Sequence, residues 1–426
     1  MDAQAGMLAQ LFERSMGLGA EWRVSDVWFE ERDGARDELH VRVAHVRGEA
    51  VECPECGRRC GTYDTRERTW RHLDIWQYET IVHCAVPRAD CPGDGVRTVR
   101  MPWEVRPNSH FTALFEAQVL VMALSGMTAA AIASRVREGD ARVWALLRRA
   151  VSEAREGADH SAVERVGIDD TARRRGQSHV STMAGLDARR VVAVTEGRDR
   201  GAVGRLCDQL EGRGGDRSRV LEVTRDMAEA HSVGVAAEMP QAAQTADRPR
   251  VTRPFSRATD RAGCRERRES EERRAMLAGT KYVWPRRESN LTERQLAKRA
   301  ELDPGRSHLR TARACQMTEA MRDACGLPDR ESAAEALDRL CSRMTHSNVP
   351  EMKVVARTLR KEREGVPDWW RRESTNAILE GLNSIIQSIK RAARGFRNTG
   401  YFETMIFLRL GRLDFSAQLA VSSATH

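Results

Sequence analysis

The chain has 426 residues, with 70 Lys and Arg against 62 Asp and Glu and a net charge of +8. That length suffices for two or three domains with sizeable cores, and the positive balance, mostly arginine, suits a phosphate-bearing partner; no repeat or low-complexity linker is present. No run of about 18 apolar residues and no basic-then-apolar start is present, so a membrane span and export are unexpected, a cytoplasmic location is expected, and the ten cysteines fit metal ligands and reduced thiols rather than disulfides.

In chain order, the first signal is Cys53-Pro54-Glu55-Cys56-Gly57, a Cys-x-x-Cys knuckle in an N-terminal piece too small for a large core. It reads as half of a zinc-ribbon site. The isolated Cys207, Cys264, Cys315, Cys325 and Cys341 read as structural thiols. Residues 111–124 predict a helix, Thr128 caps a second over 129–136, Gly139 and Asp140 make a turn, and 141–151 form a basic helix with Trp144, Arg148 and Arg149. Two helices across a tight turn form a helix-turn-helix, whose second helix can enter the major groove while arginines hold phosphates; plain three-helix packing has the same spacing.

Further on, Arg165 to Asp170 is an apolar run ending in two acids, followed by a basic turn and an alternating segment, so a strand entering a hairpin is expected. A third strand follows over 190–196, a helix over 201–210, a fourth strand over 220–226 that again ends in an acid, and a helix over 227–238 on whose surface His231 is expected, its alternative being a functional neighbour of that acid. From about 248 to 370 the chain is rich in charge and nearly free of strand signal, which predicts a helical insertion with solvated faces. The last long helix carries Ile378, Leu382, Ile385 and Ile389 on one apolar stripe, with Leu379 and Ile386 beside it, and Glu380, Asn383, Gln387 and Lys390 on a polar stripe. Three strands, helix, strand, helix and a distant acid-bearing helix match the ribonuclease H-like arrangement of polynucleotidyl transferases, in which strand-end acids and a helical acid converge.

The most specific residues are Gly167-Ile168-Asp169 with Gly176 and Asp187; Asp226-Met227 with Pro240-Gln241-Ala242; Leu277 to Trp284 with Asn290-Leu291-Thr292; and Thr375 to Asn383 through Lys390-Arg391 to Gly395-Phe396-Arg397-Asn398. On these residues, which with the N-terminal region span nearly the whole chain, the protein resembles bacterial insertion-sequence transposases of the Asp-Asp-Glu class, in the zinc-binding, helix-turn-helix group called the ISL three family. The resemblance implies an enzyme that binds the terminal inverted repeats of an insertion sequence and catalyses Mg²⁺- or Mn²⁺-dependent strand cleavage and transfer. Asp169, Asp226 and Glu380 are then the metal ligands. Asp170 is the rival to Asp169, but neighbours in a strand point to opposite faces and the family pattern puts the ligand directly after Gly-Ile. Zinc is implied at Cys53, Cys56 and Cys91, with Asp94, Cys84, Cys60 or His83 open as the fourth ligand, because Cys91-Pro92-Gly93-Asp94 stands where relatives generally carry Cys-Pro-x-His or a second cysteine pair.

The resemblance also implies double-stranded DNA, as transposon ends and target, as the partner of a homo-oligomer that is nucleoid-associated when bound. Arg142, Arg148 and Arg149 are expected to contact that DNA, as are Lys390, Arg391 and Arg394, placed on the same helix as Glu380. In the insertion, Trp284 is a candidate to stack on an unpaired base. The expected fold class is multidomain α/β: an N-terminal region with a zinc-ribbon-like subdomain over 1–105, a helix-turn-helix domain over 106–160, and an RNase H-like catalytic domain over 161–426 with its insertion at about 248–370. One departure stands out, since relatives usually have an Asp followed shortly by Phe-His on the next strand, where this chain has Asp247-Arg248-Pro249-Arg250. Proline would remove a ladder donor, so a distorted or edge strand is expected, Asp226 is preferred to Asp247 as ligand, and the alternative function is a decayed relative that only binds specific DNA.

Overall fold

The computed structural model describes residues 3–31, 37–173, 178–225, 229–246, 248–280, 283–284, 286, 288–302, 308–361 and 373–423. The chain divides into two compact units, residues 1–158 with 400–426, and residues 159–399.

The first unit opens with α1 (Ala3–Ser15), β1 (Trp22–Glu30) and β2 (Glu38–His45), then the short hairpin β3 (Val51–Glu52) and β4 (Arg59–Cys60), then β5 (Thr62–Arg71), β6 (Glu79–Cys91) and β7 (Gly95–Thr98). The long strands form a sheet in the order β1-β2-β6-β5, with β7 also paired to β6. Alternating burial along β6 puts Val82, Cys84 and Val86 on the core face, where they join Trp22, Trp70 and Trp103. Trp103 packs edge-on against both other indoles, at 5.5 and 5.4 Å. This core is larger than the small piece expected around the Cys-x-x-Cys knuckle.

Three helices follow: α2 (Ala113–Leu124), α3 (Ala129–Val136) and α4 (Asp140–Glu156). Thr128 caps α3 by accepting from the Ala131 amide, as its side chain predicts. Arg137, at φ +56°, ends α3 in the left-handed region, and the chain turns through Gly139 into α4. Apolar residues at 143, 146, 147, 150, 151 and 154 bury one face of α4 against its neighbours.

The second unit is built on β8 (Arg165–Ala172), β9 (His179–Gly185), β10 (Arg190–Glu196), α5 (Arg200–Glu211), β11 (Glu222–Arg225), α6 (Glu229–Glu238) and β12 (Ala243–Ala246). Its sheet order is β10-β9-β8-β11-β12, antiparallel from β10 to β8 and parallel from β8 to β12. Val166 and Ile168 of β8 pack with Val203, Leu206 and Leu210 of α5 and with Val235 of α6. The alternate residues Gly167, Asp169 and Thr171 face the other side of the sheet. Strand β12 is at an edge and ends at Ala246, and Pro249 falls in the first turn of α7 (Arg248–Glu266). There a missing N–H costs no helical bond, so the proline does not interrupt the ladder.

The insertion continues with α8 (Glu271–Met276), α9 (Glu293–Glu301), α10 (Arg310–Ala324), α11 (Arg330–Thr345) and α12 (Pro350–Lys361). Helices α7, α10, α11 and α12 share a core around Phe255, Met317, Met321, Leu340, Met344 and Met352. The fully buried Glu266 carboxylate accepts from the Arg310 and Thr311 amides and the Thr311 hydroxyl, closing the open N-terminus of α10. Trp284, the candidate base-stacking ring, is 5 % exposed and packs in a satellite core with Leu277, Leu302 and Leu309. Helix α13 (Glu373–Ala392) returns to the sheet.

The last segment, α14 (Thr399–Leu410) and α15 (Ser416–Ser423), belongs almost wholly to the first unit. Tyr401 stacks on Trp144 of α4 at 4.1 Å, and Arg155 of α4 donates to Glu403 at 2.8 Å while lying over the Phe407 ring. These contacts join residues more than two hundred positions apart, which sequence periodicity does not reveal.

Candidate active site

Helix α13 lies over β8, and three successive contacts set its direction. Leu379 meets Gly167, where an added Cβ would stand 2.3 Å from a Leu379 methyl; Asn383 Nδ2 donates to Asp169 Oδ2; Gln387 Nε2 donates to Thr171 Oγ1 at 3.2 Å. Four residues of helix rise about 6 Å and two residues of strand about 6.6 Å, so the side chains stay in step when the two elements run parallel. Gly167 permits the close approach. Asp169 is thereby 6 % exposed, with Oδ1 accepting from the Asp170 amide at 2.8 Å. Glu380 follows Leu379, one turn before Asn383, and is exposed.

The structure therefore brings the Asp169 strand and the Glu380 helix together, and Asp169 accepts from Asn383 of that helix. Asp226 and Asp247 lie outside the described residues. The apolar seam of α13 is Leu379, Leu382, Ile386 and Ile389; Ile385, expected in it, is 37 % exposed. Asn383 and Gln387, on the expected polar stripe, bond the sheet. Asp170 faces the opposite side, as alternation requires: its Oδ1 accepts from Ser181 Oγ at 2.6 Å and lies 3.2 Å from His231 Nε2. His231 is completely buried, which corrects its expected place on a helix surface; a lone imidazole among alanines carries no sequence signal of burial.

Two hairpin turns form a second site. Cys53-Pro54-Glu55-Cys56-Gly57 joins β3 to β4, and Cys91-Pro92-Gly93-Asp94-Gly95 joins β6 to β7. Each turn closes on a glycine in the left-handed region, at φ +69° and +72°, so Asp94 occupies the position that Cys56 holds in the first knuckle. The sulfurs of Cys53, Cys56 and Cys91 and a carboxylate oxygen of Asp94 all lie within 4.8 Å of one another. Among the open choices for the fourth group, Asp94 is the one that joins. Cys84 is in the main sheet core, His83 is 2.7 Å from His40, and Cys60 directs its thiol to the Arg58 carbonyl. The Asp94 carboxylate pushes the Cys56 thiol up to about 12, and hydrogen bonds from the Cys56, Cys91 and Cys53 thiols hold Asp94 below the usual carboxylate range. The Asp94 and Gly93 amides lower Cys91, making it the readier thiolate. Three sulfurs and a carboxylate gathered on amide-lined turns are a donor set for a thiophilic divalent cation.

On α4, Arg148 and Arg149 are exposed. Arg142 is partly engaged, donating to Glu138 at 2.7 Å with its guanidinium 4.5 Å from the Phe111 ring centroid. On α13, Lys390 is half-buried and Arg391 exposed, but Arg394 is not on the helix: α13 ends at Ala392 and Arg394 has φ +53°, followed by Gly395 at +94°.

Along the chain stand, in order, a pair of cysteine-bearing knuckles, two helices across a tight turn and a mixed sheet with an acid held under a long helix. Family models agree in the same order. The zinc-finger of transposases IS204, IS1001, IS1096 and IS1165 matches residues 49–100, the helix-turn-helix domain of transposase family ISL3 matches 99–151, and the ISL3 DDE transposase model matches 166–406. The chain belongs to the ISL3 family of insertion-sequence transposases. It is 27 % identical over 420 residues to the transposase for insertion sequence element IS1557 of Mycobacterium tuberculosis, covering 91 % of this chain and 92 % of the relative. It is 23 % identical over 402 residues to the transposase for IS1001 of Bordetella parapertussis, covering 93 % and 97 %. Among the described residues, no helix is long and apolar enough to cross a membrane.

Proposed function

We propose that this transposase binds the terminal inverted repeats of its insertion sequence and carries out divalent-metal-dependent cleavage and strand transfer on an RNase H-like catalytic unit. The 3-2-1-4-5 strand order, with β8 central and α13 across it, supports that fold. The observation that carries the function is the placement of Asp169, buried and hydrogen-bonded, beneath the helix that bears Glu380. Asp169, Glu380 and Asp226 would hold Mg²⁺ or Mn²⁺, and these carboxylates, with the Asn383 amide beside them, offer the oxygen donors that hard cations take. Bound metal would sharpen the attacking oxygen and stabilise the leaving one. Asn383 orients Asp169, and Gly167 sets the distance between strand and helix. Water attacks the phosphodiester at a transposon end, its oxygen bonding phosphorus as the leaving 3′ oxygen departs and takes up a proton. That freed 3′-hydroxyl then attacks a target phosphodiester, one P–O bond forming as another breaks.

Cys53, Cys56, Cys91 and Asp94 would hold zinc, locking the two knuckles so that the N-terminal unit presents α4. Arg148 and Arg149, and more weakly Arg142, would bind the ends as a homo-oligomer engages them. Lys390 and Arg391 would hold backbone away from the scissile phosphate. The test is a Mg²⁺-dependent cleavage and strand-transfer assay on the element's own terminal repeats with the parent and the Asp169→Ala, Asp226→Ala and Glu380→Ala variants. Each variant is expected to lose cleavage and keep end binding. Parent-like nicking by a variant removes that residue from the site, and a parent protein that binds ends without cutting them would leave the DNA-binding reading alone.

A further inference from the structure

The connection between β5 and β6 carries Trp76, which at 85 % exposure is the most open large apolar side chain among the described residues. It sits on a tight turn: the Ile75 amide donates to the Tyr78 carbonyl at 3.2 Å and the Tyr78 amide to the Ile75 carbonyl at 3.1 Å, leaving Trp76 and Gln77 at the tip. Trp76 has φ +54°, a left-handed position that two-residue turns normally fill with glycine or asparagine. A tryptophan there forgoes both the burial of its ring and an easy backbone conformation, and it is held only where the surroundings over-determine it. Those surroundings are present. Ile75 and Tyr78 pack against the core of the sheet, and the Tyr78 ring lies 4.7 Å from that of Phe29 on β1.

The same turn is bonded to the helix-turn-helix. Arg137, the residue that ends α3, donates from Nη1 to the Gln77 carbonyl at 2.7 Å and pairs through Nη2 with Asp74 at 3.1 Å. Arg71 bridges from the other side, donating to Asp74 and, at 3.3 Å, to the Val136 carbonyl. Both acids near the tip are thereby matched, Asp74 by Arg71 and Arg137 and Glu79 by Arg137 at 3.9 Å, so the turn meets a polyanion with an uncharged ring. Gly139, the N-cap of α4, follows Arg137 closely, and in this motif the N-terminal part of the second helix meets base edges. The residue after Trp76 is therefore hydrogen-bonded to the turn that leads into the DNA-facing end of α4.

We propose that Trp76 is a DNA-contact residue, a wing beside α4 whose ring lies against the sugar walls and base edges of the minor groove flanking the site that α4 reads. The proposal rests on the reading that α4 engages the transposon ends. An indole has no charge with which to neutralise a phosphate, so its contribution is apolar contact of the kind large side chains make in minor-groove binders. It adds affinity without releasing counterions, unlike the arginines of α4.

The experiment measures binding of the full chain to a terminal-repeat duplex by fluorescence anisotropy over a range of salt, with thermal melts and sedimentation of the DNA-free protein alongside. Trp76→Gly removes the ring and suits the left-handed backbone, and Trp76→Phe keeps an aromatic face. Trp76→Gly is expected to weaken duplex binding about tenfold, with the log-log salt slope unchanged and the melting temperature no lower than the parent's. Trp76→Phe should recover most of the affinity. Parent-like affinity in Trp76→Gly overturns the proposal, and if self-association of that variant is weakened the ring belongs to a contact between copies instead. A loss of affinity that comes with a lowered melting temperature marks a merely structural role and overturns it as well. An Arg148→Ala, Arg149→Ala chain with parent-like affinity and salt slope would instead overturn the reading of α4 beneath it.

Discussion

Gly167→Ala perturbs the junction between the strand of Asp169 and the helix of Glu380 without touching either acid. The added Cβ would stand 2.3 Å from one Leu379 methyl and 2.7 Å from the other and from Cγ. Carbon atoms in contact sit at about 3.5 to 4 Å, so a gap of about 1.2 Å must open. Leu379 is buried in the seam of α13, and because both methyls and Cγ are too close, rotating one methyl aside does not relieve the clash. Either the leucine repacks or the helix moves. Overpacking of this kind costs about 1–3 kcal/mol, which in a unit of this size lowers the melting temperature by roughly 2–4 °C per kcal/mol. The catalytic effect should be larger than the stability effect, since misplacing reacting groups by about 1 Å costs about a hundredfold. Nicking of terminal-repeat DNA at saturating Mg²⁺ should therefore fall about a hundredfold, with end binding intact, and Gly167→Ala with Leu379→Ala should regain part of it. Parent-like nicking by Gly167→Ala, or a double variant no better than the single one, would refute the reasoning.

Three further outcomes follow from the geometry. Cys53→Ser should reduce zinc in the purified protein from about one ion per chain to almost none and weaken end binding, measured by metal analysis and gel shift, because a three-donor remnant holds zinc poorly. His72 is buried with Nδ1 2.8 Å from Thr112 Oγ1, and burial, with Arg71 adding to it, lowers it from 6.5 to about 4. The neutral folded form is therefore fully favoured above pH 6.5, and its contribution, up to about 3 kcal/mol, is lost as pH falls from 6.5 toward 4; in thermal melts, His72→Gln should flatten that decline, and an unchanged slope would assign it elsewhere. Lys390→Ala with Arg391→Ala should weaken DNA binding across sequences and shallow the log-log salt dependence by roughly 0.9 per lost phosphate contact; an unchanged slope would make these residues ordinary solvated charges.

Local pattern was enough to place the helices and strands predicted from residue 111 onward, whereas α1 and the strands β1 to β7 of the N-terminal region carry no such prediction. The Thr128 cap, the alternation of 190–196 and the 3.6-residue period of α13 act over a few residues, and the helices and strand they predict are present, the first two with the expected ends. The family and the Cys53-x-x-Cys56 knuckle were likewise legible, because their spacing is short and chemically unusual. Asp94 was one choice among four until the second hairpin turn set it opposite Cys56, although the repeated Cys-Pro-x-x-Gly pattern of the two turns was present in the sequence as its signal.

Contacts between distant residues were decided only by tertiary structure. Period alone places Ile385 in the buried seam of α13, where it is instead 37 % exposed, and Asn383 on the polar stripe; which partner Asn383 meets is decided by Gly167, which lets the helix approach β8 closely enough for Asn383 to reach Asp169. His231 reads as a surface residue until α6 folds onto the face of β8 that carries Asp170, and the packing of Trp284 with Leu277, Leu302 and Leu309 has no local signal. The sequence by itself determined many of the helices and strands from residue 111 onward and which chemical groups the chain carries, since those depend on near neighbours. Which groups meet depends on the register between elements far apart in the chain, and that is set by packing: a missing Cβ at 167, a stack of Tyr401 on Trp144, a carboxylate beside a buried imidazole.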